Sequence, residues 1–161
     1  MLYTRIGLER AGFAGWVPFE KLRYASACPL TGGVYVVCRD PDALPSYTPA
    51  SVGGWFKGKD PAVSLDALAA NWVDFAEVVY IGKANNLRRR LKQYADFGAG
   101  QPVGHWGGRL IWQLADCSTL LVAWKETPDR VPDQVEAEMI ADFRHRYGKP
   151  PFANDPHRLG A

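Results

Sequence analysis

Between Val78 and Tyr94 the chain reads VVYIGKANNLRRRLKQY, and this stretch restricts the possible folds more than any other. Val78 to Ile81 is β-branched and aromatic, which suits a strand, and Gly82 interrupts it. Asn85 or Asn86 can then cap a helix in which Leu87, Leu91 and Tyr94 return on one face. A strand that turns into an amphipathic helix within a few residues must lay that helix back on its own sheet. The same helix carries Arg88, Arg89 and Arg90 in succession. Three adjacent guanidiniums cannot all enter a core and they repel one another, so an anionic counterpart is expected. Arg90 borders the inward face because it stands between Leu87 and Tyr94, whereas Arg88, Arg89 and Lys92 point outward.

The rest of the chain supplies partners for this unit. The segment GVYVVCR, starting at Gly33, reads as a mostly apolar, central strand. From Asp40 to Asp60 the chain is rich in Pro and Gly. Ser64 then caps a helix with Leu65, Leu68, Ala69 and Trp72 at helical spacing, ending near Asp74. After the strand EVVYIG, the arginine helix and the loop GAGQPVGHWGG, the runs RLIWQL and TLLVAWKE read as a hairpin joined by ADCS. Pro132 and Asp133 open a last helix that stops at Gly148, before Pro150 and Pro151. The order predicts an α+β fold with a small antiparallel or mixed sheet, flanking helices and an insertion between the first two core strands. At 161 residues, 47% of them hydrophobic, one domain with a real core is expected. Residues 1–31 form an N-terminal extension, 32–154 the main unit with its insertion at about 40–74, and 155–161 a tail.

Net charge is only +2, so the total makes no case for a polyanionic partner, but the distribution is uneven. Val79 to Arg109 holds six bases (Lys83, Arg88, Arg89, Arg90, Lys92, Arg109) and one acid, Asp96, whereas Arg39 to Val78 holds three bases and six acids. Cys28, Cys38 and Cys117 lack CxxC spacing and read as reduced core thiols rather than a disulfide framework or zinc site. With no leader-like apolar run and no membrane-length segment, a cytoplasmic protein without a membrane association is expected. GGWFKGKD imitates a phosphate loop in spacing, but Asp60 stands where a hydroxyl is needed and would repel phosphate.

Taken in order, GVY at Gly33 to Tyr35, YIG at Tyr80 to Gly82, the following KANNLRRRL, a late helix with a glutamate, and PFAN ending at Asn154 resemble the GIY-YIG nuclease superfamily. The second block is similar to the corresponding part of the nuclease domain in the bacterial excision-repair incision enzyme. The resemblance covers roughly Gly33 to Asn154, in islands. It implies a GIY-YIG-like fold and a divalent-metal-dependent DNA endonuclease, with Mg²⁺ or Mn²⁺ as cofactor and DNA as partner. It places Tyr35 at the tyrosine that handles the proton of the attacking water and Tyr80 at the second tyrosine of the site. It also places Lys83 at a lysine seen in part of the family, Arg90 at the family arginine, Tyr94 one turn later, Glu136 at the metal-binding glutamate and Asn154 at the late asparagine.

Glu136 is preferred over Glu138 on physical grounds, because it shares a helix face with Ile140 and Phe143. Arg88, Arg89, Lys92, His105 and Arg109 are the expected nucleic-acid contacts. His105, in GHWGGR, matches no family position, and as a loop histidine beside Trp106 it suits a structural role better than a substrate contact. The sequence departs from the family pattern in two spacings: Tyr35 and Tyr80 are 45 residues apart, and Glu136 and Asn154 are 18 apart. For Tyr35 to act at neutral pH, positive charge from Lys83, Arg90 or a metal-bound water network has to favour its phenolate. The competing reading is a non-catalytic nucleic-acid-binding or assembly module on the same scaffold. One site cuts one strand, so a double-strand break calls for two visits or a transient homodimer.

Overall fold

The computed structural model describes residues 1–24 and 27–155. In chain order these form α1 (Arg5–Arg10), β1 (Ala14–Pro18), α2 (Phe19–Leu22), β2 (Gly33–Cys38), α3 (Leu65–Asn71), β3 (Val78–Ala84), α4 (Leu87–Gly98), two 3₁₀ segments (Trp106–Gln113 and Cys117–Thr119), β4 (Leu121–Glu126) and α5 (Pro132–Tyr147). The four strands make one open sheet in the order β1-β4-β2-β3, antiparallel throughout. The architecture is α+β.

β2 is central and wholly buried, as its run of apolar residues requires. Its side chains alternate between two cores. Tyr35 and Val37 join Leu87, Leu91 and Tyr94 of α4 on one side. Val34 and Val36 join Ile81 and, from α5, Met139 and Phe143 on the other. α4 begins where sequence capping placed it, with the Asn86 side chain accepting from the Arg89 amide. α5 ends at Gly148 in the left-handed conformation, φ 80°, a position glycine fills without strain.

The expected hairpin is not formed. RLIWQL lies in the 3₁₀ segment Trp106–Gln113, and only the second run becomes a strand, pairing with β2 and β1. The reason is where the first run's backbone finds its partners. Trp112 and Gln113 carbonyls accept from the Val52 and Thr48 amides, and the Ala115 amide donates to Ser46, so the insertion takes the place of a neighbouring strand. The buried Gln113 amide completes the clamp by accepting from the Val63 amide at 2.8 Å and donating to the Val63 carbonyl at 2.9 Å. Tyr47 and Trp72 add an aromatic contact with Phe152, so the insertion packs on the core.

Nor is the N-terminal segment a mere extension, since β1 is an edge strand of the sheet. Pro18 is tolerated there because an edge strand needs fewer ladder donors. The opposite edge, β3, is covered by residues 153 and 154: the Ala153 amide donates to the Val79 carbonyl, and Asn154 brackets Ile81. GGWFKGKD is a tight turn through Lys57 and Gly58, both at positive φ, closed by a Phe56–Lys59 bridge. No helix follows directly, so no ring of amides is available to hold phosphate. The expected tail, 155–161, lies outside the described residues except for Asp155. Among the described residues no helix is long and apolar enough to cross a membrane.

Candidate active site

Four elements, far apart in sequence, deliver side chains to one cleft of about 380 Å³: Tyr35 from β2, Tyr80 and Lys83 from β3, Arg90 from α4, and Asp133 and Glu136 from α5. The sheet register explains the first pair. Tyr35 stands opposite Gly82, and Tyr80 shares the Gly82 face of β3, so the two phenols converge with ring centroids 6.1 Å apart. Gly82 itself is dictated by this approach. A methyl group there would lie 2.3 Å from Cζ of Tyr35 and 2.5 Å from its hydroxyl. Gly82→Ala is expected to cost about 1–3 kcal/mol by overpacking, seen as a lowered midpoint in thermal denaturation, and to displace the Tyr35 ring.

Behind the cleft the aromatic groups are fully enclosed. The Tyr35 hydroxyl lies 2.5 Å from Nε2 of His105, and both residues are buried, at 1% and 0% exposure. The His105 ring stacks flat on Tyr94, with centroids 3.5 Å apart and planes 6° from parallel. Tyr94 in turn donates from its hydroxyl to the Gly108 carbonyl at 2.7 Å. Arg90 ties the same loop to α4 by donating from Nη1 to the Gly104 carbonyl at 2.8 Å. Residues 104–108 are therefore held at both ends by α4 side chains, which fixes the imidazole beside the phenol. Tyr94 does not line the cleft; it supports His105.

Burial decides the state of these phenols. It pushes Tyr35 well above the ordinary tyrosine range, Tyr80 pushes it further, and the Arg90 guanidinium opposes the rise without overcoming it, with Glu136 adding a smaller upward push. Tyr94 is raised by the same burial and by its neighbours Tyr80 and Tyr35. The expected phenolate at Tyr35 is thus not favoured by its surroundings. Lys83 does not offset this, since its ammonium is engaged by the Asp133 carboxylate.

These shifts carry a stability consequence with a definite sign. The folded-state values of Tyr3, Tyr35 and Tyr94 lie above the unfolded value, so unfolding releases protons once pH exceeds about 10. The stabilisation from keeping these groups neutral is fully present below pH 10 and is lost above it. Stability should fall by up to about 1.4 kcal/mol per pH unit for each phenol, a steep alkaline unfolding that denaturant titrations between pH 9 and 11 would register.

The two acids of α5 are sorted as helical geometry requires. Glu136 is half-buried and faces the cleft, while Glu138 is exposed and held bidentately by Arg130 at 2.8 and 2.6 Å. Among the described residues no three His, Cys, Asp or Glu side chains gather to hold a metal ion. Glu136 lines this cleft together with Asp133 one turn earlier, and Asp133 pairs with Lys83.

The other expected site residues fall outside the cleft. Asn154 uses its amide on the backbone of Ile81, accepting from the amide at 2.9 Å and donating to the carbonyl at 2.8 Å; its role is to pin β3 between Tyr80 and Gly82. Arg109 is buried, pairs with Asp155 at 3.5 Å and lies over the Trp106 ring. Neither Arg109 nor His105 reaches the surface where a nucleic acid could touch it, because the loop that carries them folds under α4. Arg88 donates from Nε to the Cys28 carbonyl at 2.8 Å, which joins α4 to the preceding segment. Lys92 is exposed but pairs with Asp96, which also takes Arg23 and is lowered below the usual carboxylate range by these two cations. Arg89 is exposed beside the cleft-lining turn and is the cation of this helix best placed to meet an external anion.

His105 is the functional candidate whose position the sequence conceals. Its flanking glycines are the signal that was available: a methyl group at Gly108 would sit 2.3 Å from the Tyr94 hydroxyl and 3.0 Å from Cε1 of His105. No protein-family model matches the chain, and no curated protein or solved structure matches it.

Proposed function

We propose that the protein is a divalent-metal-dependent DNA endonuclease of the GIY-YIG type, hydrolysing phosphodiester bonds. The observation that carries this reading is the meeting of Tyr35, Tyr80, Arg90 and Glu136 in one cleft, although up to 101 residues separate them in the chain. Two phenols, a guanidinium and a carboxylate have no shared structural reason to meet at a solvent-open cavity. They do have a shared chemical one: a phosphodiester needs its charge offset, its attacking water deprotonated and its leaving oxygen stabilised.

Arg90 would hold the scissile phosphate with its guanidinium fork and offset the charge that grows on the non-bridging oxygens. Tyr35 would accept a proton from the attacking water at Oη as its own proton passes to Nε2 of His105. The resulting hydroxide forms the new P–O bond while the bond to the 3′-oxygen breaks. This relay resolves the difficulty that burial creates, because a phenol that cannot stay ionised can still exchange one proton for another. It requires the His105 tautomer with Nε2 unprotonated. Tyr80, against Tyr35, would fix the water through its own hydroxyl.

An open, polar cleft with few carboxylates suits Mg²⁺ or Mn²⁺, which take few protein oxygens and retain most of their water, and Glu136 would hold such an ion. When bound, the ion would supply Lewis-acid stabilisation of the phosphate and the departing oxygen. Incubation with supercoiled plasmid and Mg²⁺ or Mn²⁺, with a Glu136→Gln control, tests the reading. Nicking by the unsubstituted protein alone supports it. DNA binding without cleavage would instead favour the non-catalytic module.

A further inference from the structure

The turn that imitates a phosphate loop, GGWFKGKD, takes no part in the cleft, yet it carries two of the three bases between Arg39 and Val78 and an indole left in water. We infer that Trp55, Lys57 and Lys59 form a contact for single-stranded DNA flanking the scissile phosphate, with the indole stacking on an unpaired base and the two ammonium groups meeting backbone phosphates. The inference rests on the proposed endonuclease reading for its choice of DNA. It adds a substrate class: DNA with an unpaired segment beside the cut.

The turn is built against the loop that borders the cleft. The Gly54 amide donates to the Phe97 carbonyl, near the end of α4, at 2.9 Å, and a methyl group at Gly54 would run into the Gln101 carbonyl. Phe56 lies on the backbone of Gly104, where a methyl group would come 3.1 Å from its ring. The Gly104 carbonyl is the one that Arg90 holds at 2.8 Å, and Arg90 and Gly107 both line the cleft. One glycine therefore separates the packed base of the turn from the guanidinium proposed to take the scissile phosphate. A strand leaving the cleft along this side reaches Trp55 within a few nucleotides.

Packing does not account for the tip. Phe56 makes the contact with the core, so Trp55 is not needed as an anchor, and it stands 59% exposed. Lys57 sits at φ 51°, in the left-handed region, beside Gly58 at φ 73°. Glycine or asparagine takes that conformation at lower cost, so the lysine is a strained residue, of a kind that clusters at ligand contacts. Among the described residues no carboxylate pairs with Lys57 or Lys59. Asp60, the acid that spoils the phosphate-loop pattern, accepts from the Ala62 amide at 2.9 Å and is engaged beyond the turn. Arg39, the third base of this stretch, is buried and paired with Asp116, which leaves the turn as the place where the stretch offers positive charge to a polyanion. An aromatic face among cations is the pattern that holds a single strand. The bases stack on the ring and the lysines follow the phosphates, whereas a duplex has to be unstacked before the ring can enter.

The test is fluorescence anisotropy of a labelled oligonucleotide, single-stranded or annealed into a blunt duplex, with the whole chain in EDTA so that nothing is cut. Trp55→Ala should weaken single-strand binding about tenfold, the worth of one stacked base, and change duplex binding less than about twofold. Trp55→Phe, which keeps a π-face, should retain most of the single-strand affinity. Lys57→Met combined with Lys59→Met should flatten the slope of log affinity against log salt on the single strand by about 1.4. Unchanged single-strand binding by Trp55→Ala overturns the inference, as does an equal loss on both DNAs. The endonuclease reading fails on a separate readout: no plasmid nicking by the unsubstituted protein with Mg²⁺ or Mn²⁺ refutes it. Nicking that persists alongside Trp55-independent strand binding removes the role of the turn alone.

Discussion

Arg90→Ala and Glu136→Gln are each expected to reduce nicking of supercoiled plasmid by about 10³-fold or more, with the fold retained. Removing one preorganised group that stabilises transition-state charge on an oxyanion costs roughly 10²–10³-fold, and loss of a phosphate-clamping arginine about 10³–10⁵-fold. Both sites tolerate the change structurally. Glu136 is half-buried at a helix surface, and its replacement keeps the shape of the side chain. Arg90 gives up hydrogen bonds to the Gly104 carbonyl at 2.8 Å and to Gln93 Oε1 at 3.4 Å, so Arg90→Lys is the companion variant that keeps a donor there. If Arg90→Ala has an unaltered melting midpoint and still nicks plasmid at the original rate, the assignment of this cleft fails.

The second large effect concerns Tyr35 and His105. Tyr35→Phe should slow cleavage by about 10²–10⁴-fold, the usual worth of a general acid–base group, while keeping the ring that packs over Gly82. His105→Gln should fall in the same range. Because the proposed proton path runs through both, the double substitution should be barely slower than either single one. Additive losses would separate the two residues and refute the relay.

Much of this architecture was legible before any coordinates. The Asn86 cap, the Leu87/Leu91/Tyr94 stripe, the Gly148 terminus and the inward face of Glu136 all follow from local rules, and each holds because cap, periodicity and packing agree. What failed was long-range. RLIWQL has strand-like composition, but its backbone bonds to residues 46–52 of the insertion, and no local pattern encodes a partner 60 residues away. AGWVP, bracketed by Gly and Pro, carries too little strand character to announce β1, whose place is set by pairing with β4. The site divides in the same way. Tyr35, Tyr80, Lys83, Arg90 and Glu136 were readable from motif and helix face. The Tyr35–His105 contact was not, because it spans 70 residues and depends on how a glycine-rich loop tucks beneath α4.

Asn154 shows how much can depend on one amide outside the cleft. By occupying both the N–H and the C=O of Ile81 it fills, with a side chain, the slot that a fifth strand would otherwise take. An uncovered β3 would offer a short, apolar ribbon edge to any other chain, the usual starting point for intermolecular pairing and aggregation. The contact that aligns Tyr80 therefore also guards the molecule against its own copies, and a chain cut short of Pro151 would lose the alignment of Tyr80 and bare that edge in a single stroke.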